Sequence, residues 1–479
     1  MNKIKKYIRY SRTLIVATSL SFLCGCSDFT DLQPKGENLL STIDELEMLL
    51  NYEFQDLPRS DAELINDIYP YRTNLANLVK QPAPSLYQII FTWNESIDRA
   101  EFTPSDYTYT NCYSVIGKIA NPIIQNVQYC TGAEVKKDQI KAEALVLRAF
   151  YGYVAVNHFA KAYNPSTASE DGGVPYPRED DNLAELREKY SVKQVYDFII
   201  EDLNKALELN ALPDVNVSLM RVNKAFAYAV KAKVLMSLRD YDGAYEAAQM
   251  SLASNNYVAD HNTMLAVGTT GKMEFQRNYM ECNEDLFYDH YRTIMHSPSQ
   301  EMWDMFEEGS VYLNYAPTDV NALGSALIGR AYLGGTSAPS HYLADKTYFS
   351  SFGLTTADMY LTMAEVDIRK GNIDKAMESI DVIRKHRILS DVYQPLKGKV
   401  STKVEAMDVF KKLSRTEGLF TIKNYINIKR WNSETNEWTE TLKKTVLGVT
   451  YTLRPDSPLW IWPFPQNATS LNPNLTQNY

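Results

Sequence analysis

From Asp138 onward the apolar positions fall into step. In "QIKAEALVLRAFYGYVAVNHF", Leu145, Ala149, Tyr153 and Val156 recur at three- and four-residue intervals, the spacing at which side chains share one face of an α-helix. A connection of about thirty residues follows, carrying Pro165, Gly172, Gly173, Pro175 and Pro177, so it cannot be one regular element. Ser191, with Gln194 three residues on, has the form of a capping box. Val195, Phe198, Ile199, Leu203, Ala206 and Leu207 supply the buried face of the helix it opens.

Next, "AYAVKAKVLMSLRDYDGAYEAAQMSL" predicts two helices joined at Arg239-Asp240-Tyr241, with Ala232, Ala244 and Ala248 small enough for close helix contact. The stretch "MYLTMAEVDIRKGNIDKAMESIDVIR", from Met359, repeats that pattern. Shifted by 132 residues, Ala232 falls on Ala364, Asp242 on Asp374 and Ala244 on Ala376. This is the helix–turn–helix logic of tetratricopeptide repeats, in which each unit buries its apolar face on its neighbours. A general helix hairpin would share part of the pattern. The copies are not tandem. Between them, roughly 257–356, periodicity gives way to glycines (Gly268, Gly271, Gly309, Gly324, Gly329, Gly334, Gly335, Gly353) and many tyrosines. The segment 58–112 has the same texture. Long irregular segments inside compact domains usually carry function.

The N-terminus follows a different order. Lys3, Lys5, Lys6, Arg9 and Arg12 precede an apolar run from Leu14 to Leu23, which ends on Cys24, Gly25 and Cys26. That order is a secretory signal peptide, and the run is well under the roughly 18 residues of a membrane-spanning helix. Leu23-Cys24-Gly25-Cys26 resembles a bacterial lipoprotein box, so residues 1–25 are expected to be removed and Cys26 to be the lipid anchor. The net charge of −10 would then become −15, because the leader holds five cations and no acid. Such a surface repels nucleic acid, and no basic stripe offsets it. The remaining cysteines, Cys112, Cys130 and Cys282, are too few for a disulfide framework. If the segment between Cys112 and Cys130 is helical, they sit roughly 27 Å apart, beyond disulfide reach. Buried thiols are expected.

Catalytic motifs do not emerge. His-Glu-x-x-His, Gly-x-Ser-x-Gly and Gly-x-Gly-x-x-Gly do not occur, and "GTTGK" at 268–272 lacks the first glycine and the Ser/Thr of a phosphate loop. His290 and His296, near Glu284, Asp285 and Asp289, form the nearest approach to a zinc set, against a solvated polar loop. "PREDDNLAE" at 177–185 fits no EF-hand and reads as a solvated charged loop. What stands out is 33 tyrosines and six tryptophans, more than a core of this size needs. Surplus Tyr and Trp sit at surfaces that bind something.

Several stretches together resemble the SusD/RagB family of Bacteroidetes nutrient-uptake lipoproteins. They are "KAEALVLRAFYGYVAVNHF" with "GGVPYPRE", "VYDFIIEDLNKALELN", "NKAFAYAVKAKVLMSLRDYDGAYEAA" and the ending "LWIWPFPQNATSLNPNLTQNY". "FKKLSRTEGLFTIKNYINIKRW" keeps the family's Glu417-Gly418 and Arg430-Trp431 and departs between them. The resemblance implies a mostly α fold: one domain over 26–479, a tetratricopeptide-like helix-pair scaffold at roughly 113–256 and 357–390, and ligand-facing segments at 58–112 and 257–356. It implies no enzyme and no cofactor. The expected role is a non-catalytic lid on the cell surface that captures oligosaccharide, or in some members peptide, for a SusC-like TonB-dependent outer-membrane transporter.

Sugar rings need aromatic faces for their C–H faces and polar groups for their hydroxyls. Trp93 with Asn94, Trp303, Tyr288, Tyr291, and Tyr69 and Tyr71 beside Asp67 are the candidate contacts. In "SQEMWDMFEEG", Met302, Met305 and Phe306 read as a helical core stripe that leaves Trp303 off the face. A neutral glycan is the default ligand, unless arginines such as Arg72, Arg292 or Arg330 intervene. A glycan hydrolase and a purely protein-binding repeat protein are the competing readings.

Overall fold

The apolar repeat near Asp138 becomes a helix of 26 residues, Glu134–Phe159, in a computed structural model of the chain. The residues described are 40–52, 60–69, 79–80, 83–182, 185–267, 273–275, 282–287, 297–311, 313, 353–419 and 421–479, and Thr42–Tyr479 cluster as one compact unit. The helix is not the one-sided element its stripe suggests. Every residue from Ala142 to Phe159 is buried. Its buried charges are therefore paired: Glu143 accepts from Arg221 Nε at 2.7 Å, and Arg148 Nε donates to Asp202 at 2.7 Å. Unpaired, each would carry a large desolvation cost.

The capping box forms as expected. Ser191 Oγ accepts from the Gln194 amide while Gln194 Oε1 accepts from the Ser191 amide, opening Val192–Glu208, which packs along the 134–159 helix. Lys224–Leu238 and Tyr241–Ser254 form the first repeat pair, and Thr356–Lys370 and Ile373–Arg384 the second. The 132-residue offset extends to the turns. Arg239 ends one helix at φ +64° and Gly371 ends the other at φ +80°, both in the left-handed region. The units are distant in sequence and adjacent in space. The 241–254 helix packs on the 356–370 helix, with Met236, Ala244 and Val366 buried between them. Ala232, Ala244, Ala364 and Ala376 have no exposed surface. A further helix, Lys403–Glu417, covers the second pair.

Between Cys112 and Cys130 the chain is helical but uneven. Tyr107–Val115 runs into a π turn at Ile116–Ala120, then Asn121–Asn126 and a 3₁₀ turn, Val127–Tyr129. Cys112, Cys130 and Cys282 are buried thiols outside any disulfide. The 58–112 segment, expected to be irregular, holds the short helices Ser60–Leu64 and Leu86–Thr92 as well as the start of the 107–115 helix. Leu442–Val446 and Val449–Leu453 make a hairpin whose turn, Leu447-Gly448, has positive φ at both residues. Among the described residues no helix is long and apolar enough to cross a membrane.

Candidate functional site

Two segments far apart in sequence meet through a two-residue strand pairing. Ile68–Tyr69 runs antiparallel to Ser297–Pro298, with Ile68 opposite Pro298 and Tyr69 opposite Ser297. Ser299 locks the junction. Its amide donates to Asp67 O at 2.9 Å, its hydroxyl donates to Asn66 O at 2.6 Å, and its Oγ accepts from the Met302 amide at 3.0 Å to open the turn Gln300–Trp303. Described parts of the 58–112 and 257–356 segments thus meet at this junction.

At that junction Met302 is buried with Ala62, Ile68 and Leu419, and Trp303, Met305 and Phe306 pack half-buried against them. Met302, Met305 and Phe306 do pack together as expected, but the helix ends at Trp303, so Trp303 packs against the same cluster instead of standing off its face. Trp303 and Phe306 lie with ring centres 5.7 Å apart at 51°. Together with Met305 they form an apolar, partly exposed ridge. Tyr87, on the 86–92 helix, is 54% exposed; the Glu63 charge, then burial, raises its hydroxyl pKa.

Two candidates belong to the interior. Trp93, expected to face solvent, is 5% exposed and its Nε1 donates to Leu64 O at 2.7 Å. It ends the 86–92 helix at φ +48°, which turns the ring inward under the C-terminal hairpin. Asp67 has no exposed surface. It pairs with Arg415 and accepts from Asn424 Nδ2 at 2.8 Å; burial pushes its carboxyl pKa up and Arg415 opposes the shift. Both hold the junction together, which corrects their reading as contacts. Asn94 is half-buried, its Oδ1 accepting from the Ser96 amide at 3.0 Å and hydroxyl at 2.7 Å. Tyr69 lies in the strand, paired with Ser297. Cys26, Tyr71, Tyr288, Tyr291, His290, His296, Arg72, Arg292 and Arg330 lie outside the described residues.

Lys444, Arg415 and Asn424 belong to no binding motif, although "LKKTVLGVTYTL" alternates about a Leu-Gly turn and signals a hairpin. Lys444 is buried over Phe91 and Trp93, and burial lowers its amine pKa to about 7 against the opposing charges of Glu301 and Glu63. The acids of "PREDDNLAE" are more engaged than a solvated loop would be. Glu179 accepts from Arg148 at 2.5 Å, and Asp181 from Arg187 at 3.0 Å. Glu284 accepts from Arg387 at 2.7 Å and from the Ala259 amide at 2.6 Å. Among the described residues no group of three or more His, Cys, Asp or Glu could hold a metal ion.

The residues that carry the family resemblance are the ones that pair inside. Glu417 accepts from Arg387, Glu365 accepts from Arg430 and from Trp431 Nε1, and Asn478 Nδ2 donates to Phe159 O and Gly173 O. A family model described as "Starch-binding associating with outer membrane" matches residues 47–236, and a model described as "SusD family" matches residues 354–479. The chain belongs to the SusD/RagB family. Its fold is that of solved SusD-type proteins. Surface glycan-binding protein A from Bacteroides uniformis superposes with a TM-score of 0.64 at 16% identity, covering 91% of this chain and 99% of that one. A SusD superfamily protein from Bacteroides thetaiotaomicron gives 0.63 at 15%, covering 91% and 100%. A SusD-like carbohydrate binding protein from Bacteroides vulgatus gives 0.59 at 16%, covering 91% and 98%. None of the curated proteins matches this sequence.

Proposed function

We propose that this SusD/RagB protein is a non-catalytic glycan-binding lipoprotein of the outer-membrane surface. Cys26 anchors it, and it captures oligosaccharide for import through a SusC-like TonB-dependent transporter. The observation that carries the reading is the ridge of Trp303, Met305 and Phe306, mounted on the strand junction and partly open to solvent. Such faces match the C–H faces of sugar rings. The family description and the glycan-binding name of one structural neighbour support the same reading. The acidic chain favours a neutral glycan, bound with little salt dependence because screening acts on charge–charge terms.

Affinity electrophoresis and calorimetry on neutral and acidic polysaccharides, at low and high salt, test this. The expected result is retardation by a neutral glycan with no release of reducing ends. Exclusive binding of an acidic glycan with steep salt dependence overturns the neutral ligand, and reducing ends released by the pure protein overturn the non-catalytic role. For the anchor, Cys26→Ala should leave the detergent phase. Partitioning equal to wild type would refute it.

A further inference from the structure

A second concavity lies away from the aromatic ridge and shares none of its residues. It is a cleft of about 420 Å³ between the 160–171 connection, the end of the helix Lys423–Asn432 and the 455–461 segment. That volume is within the roughly 300–1,000 Å³ typical of small-molecule sites.

Lys429 forms part of its floor, but its amine is fully engaged. It donates to Asn157 O and Ala160 O, both at 2.6 Å, and to the Tyr425 hydroxyl at 3.2 Å. The two carbonyls belong to the C-terminal end of the 134–159 helix, which otherwise lacks intrahelical donors there. An amine held by these partners has no proton left for an anion. The other charges also cancel locally. Lys161 pairs with Asp171 at 2.6 Å, and Asp456 pairs with Arg454 at 3.1 Å. The lining therefore selects no net charge.

Its lining mixes two chemistries. Apolar surface comes from Pro455, Pro458, Ile461, Trp460 and Tyr479, the last 40% exposed. Other lining residues carry hydrogen-bonding groups with capacity left. Asn164 Oδ1 accepts from the Ser166 amide and hydroxyl, at 3.1 and 2.8 Å, while its amide nitrogen has no partner among the described residues. Ser457 Oγ accepts from the Leu459 amide at 3.2 Å and keeps its own proton to donate. Apolar surface beside uncharged donors, in an open-sided cleft, fits a compact and hydroxyl-rich molecule.

We infer that this cleft is a second binding site, for a neutral mono- or disaccharide. The ligand class rests on the glycan-binding reading, whereas the site is independent of the ridge. Saturation-transfer NMR and calorimetry on the full mature chain, with glucose, galactose, mannose, N-acetylglucosamine, maltose and cellobiose as probes, test it. Ala162 lines the cleft, and Ala162→Trp would fill it without removing a polar contact. At least one probe should bind wild type, weaken at least about tenfold in Ala162→Trp, and stay within about twofold in Trp303→Ala. Should Ala162→Trp melt early, Asn164→Ala serves instead, with an expected loss of about threefold to tenfold. Unchanged probe affinity in a natively melting cleft variant overturns the inference. So does failure of every probe to bind wild type. If polysaccharide binding still depends on Trp303 in that case, the proposed function stands without the second site; if no glycan binds at all, both fail.

Discussion

Lys444 holds its amine 4.2 Å from the ring centre of Trp93 and 4.2 Å from that of Phe91, closing the C-terminal hairpin over an early helix. The amine is buried and finds no hydrogen-bond acceptor among the described residues, so the ring faces are its immediate partners. Trp93 is fixed from three sides: its own left-handed turn, the Leu64 carbonyl and Lys444.

Burial lowers the Lys444 amine from 10.5 to about 7, and the Lys429 amine likewise to about 7. Between those values the folded chain binds fewer protons than the unfolded one, so stability rises with pH across the window. Each group adds at most about 1.4 kcal/mol per pH unit. Lys444→Met should flatten denaturant-derived stability plotted between about pH 6 and pH 10. The same slope in wild type and variant would show that this amine does not titrate there.

Overpacking tests the repeat stack. Ala232 and Ala364 are fully buried at equivalent positions, so Ala232→Leu and Ala364→Leu should each lower stability by about 1–3 kcal/mol. Melting curves that coincide with wild type would remove the close helix approach.

Glu365 anchors the Arg430-Trp431 motif. Burial pushes its carboxyl up, but Arg430 and Arg369 outweigh burial and hold it at about 2, below its ordinary 4.5. Its contribution is present above about pH 4.5 and is lost as pH falls toward 2. Arg430→Met breaks a buried pair and should cost about 3–5 kcal/mol by denaturant titration near neutral pH. A loss under about 1 kcal/mol, the scale of an exposed pair, would contradict the burial.

The two tryptophans should separate cleanly. Trp303→Ala is expected to weaken glycan binding about tenfold or more, as loss of a stacking face does at binding hot spots. Trp93→Phe removes the bond to Leu64 O, costs about 1 kcal/mol of stability and leaves affinity within about twofold. Calorimetry paired with melting decides it; the reverse pattern would return Trp93 to the binding surface.

The scaffold was legible because its signals are local. The Ser191–Gln194 box needs only three residues of chain, and the 132-residue offset of Ala232 and Ala364 reports a periodicity that any helix of that sequence must display. Family membership was readable for a related reason: the motif residues Glu143, Arg148 and Arg430 are buried charges, each held in an ion pair.

The candidate site was less legible. Composition separated the aromatic segments from the scaffold, yet it could not say which ring faces water. Exposure depends on what arrives from elsewhere in the chain: Lys444, 351 residues after Trp93, buries that ring, and Arg415, 348 residues after Asp67, takes that carboxylate. Trp303 differs because its helix stops beside it and no distant segment among the described residues closes over the ridge completely. Period and caps are written in neighbouring residues, so the sequence alone determined the helices and the family. Burial is a property of long-range packing, so only the tertiary structure decided which aromatics became core and which remained surface.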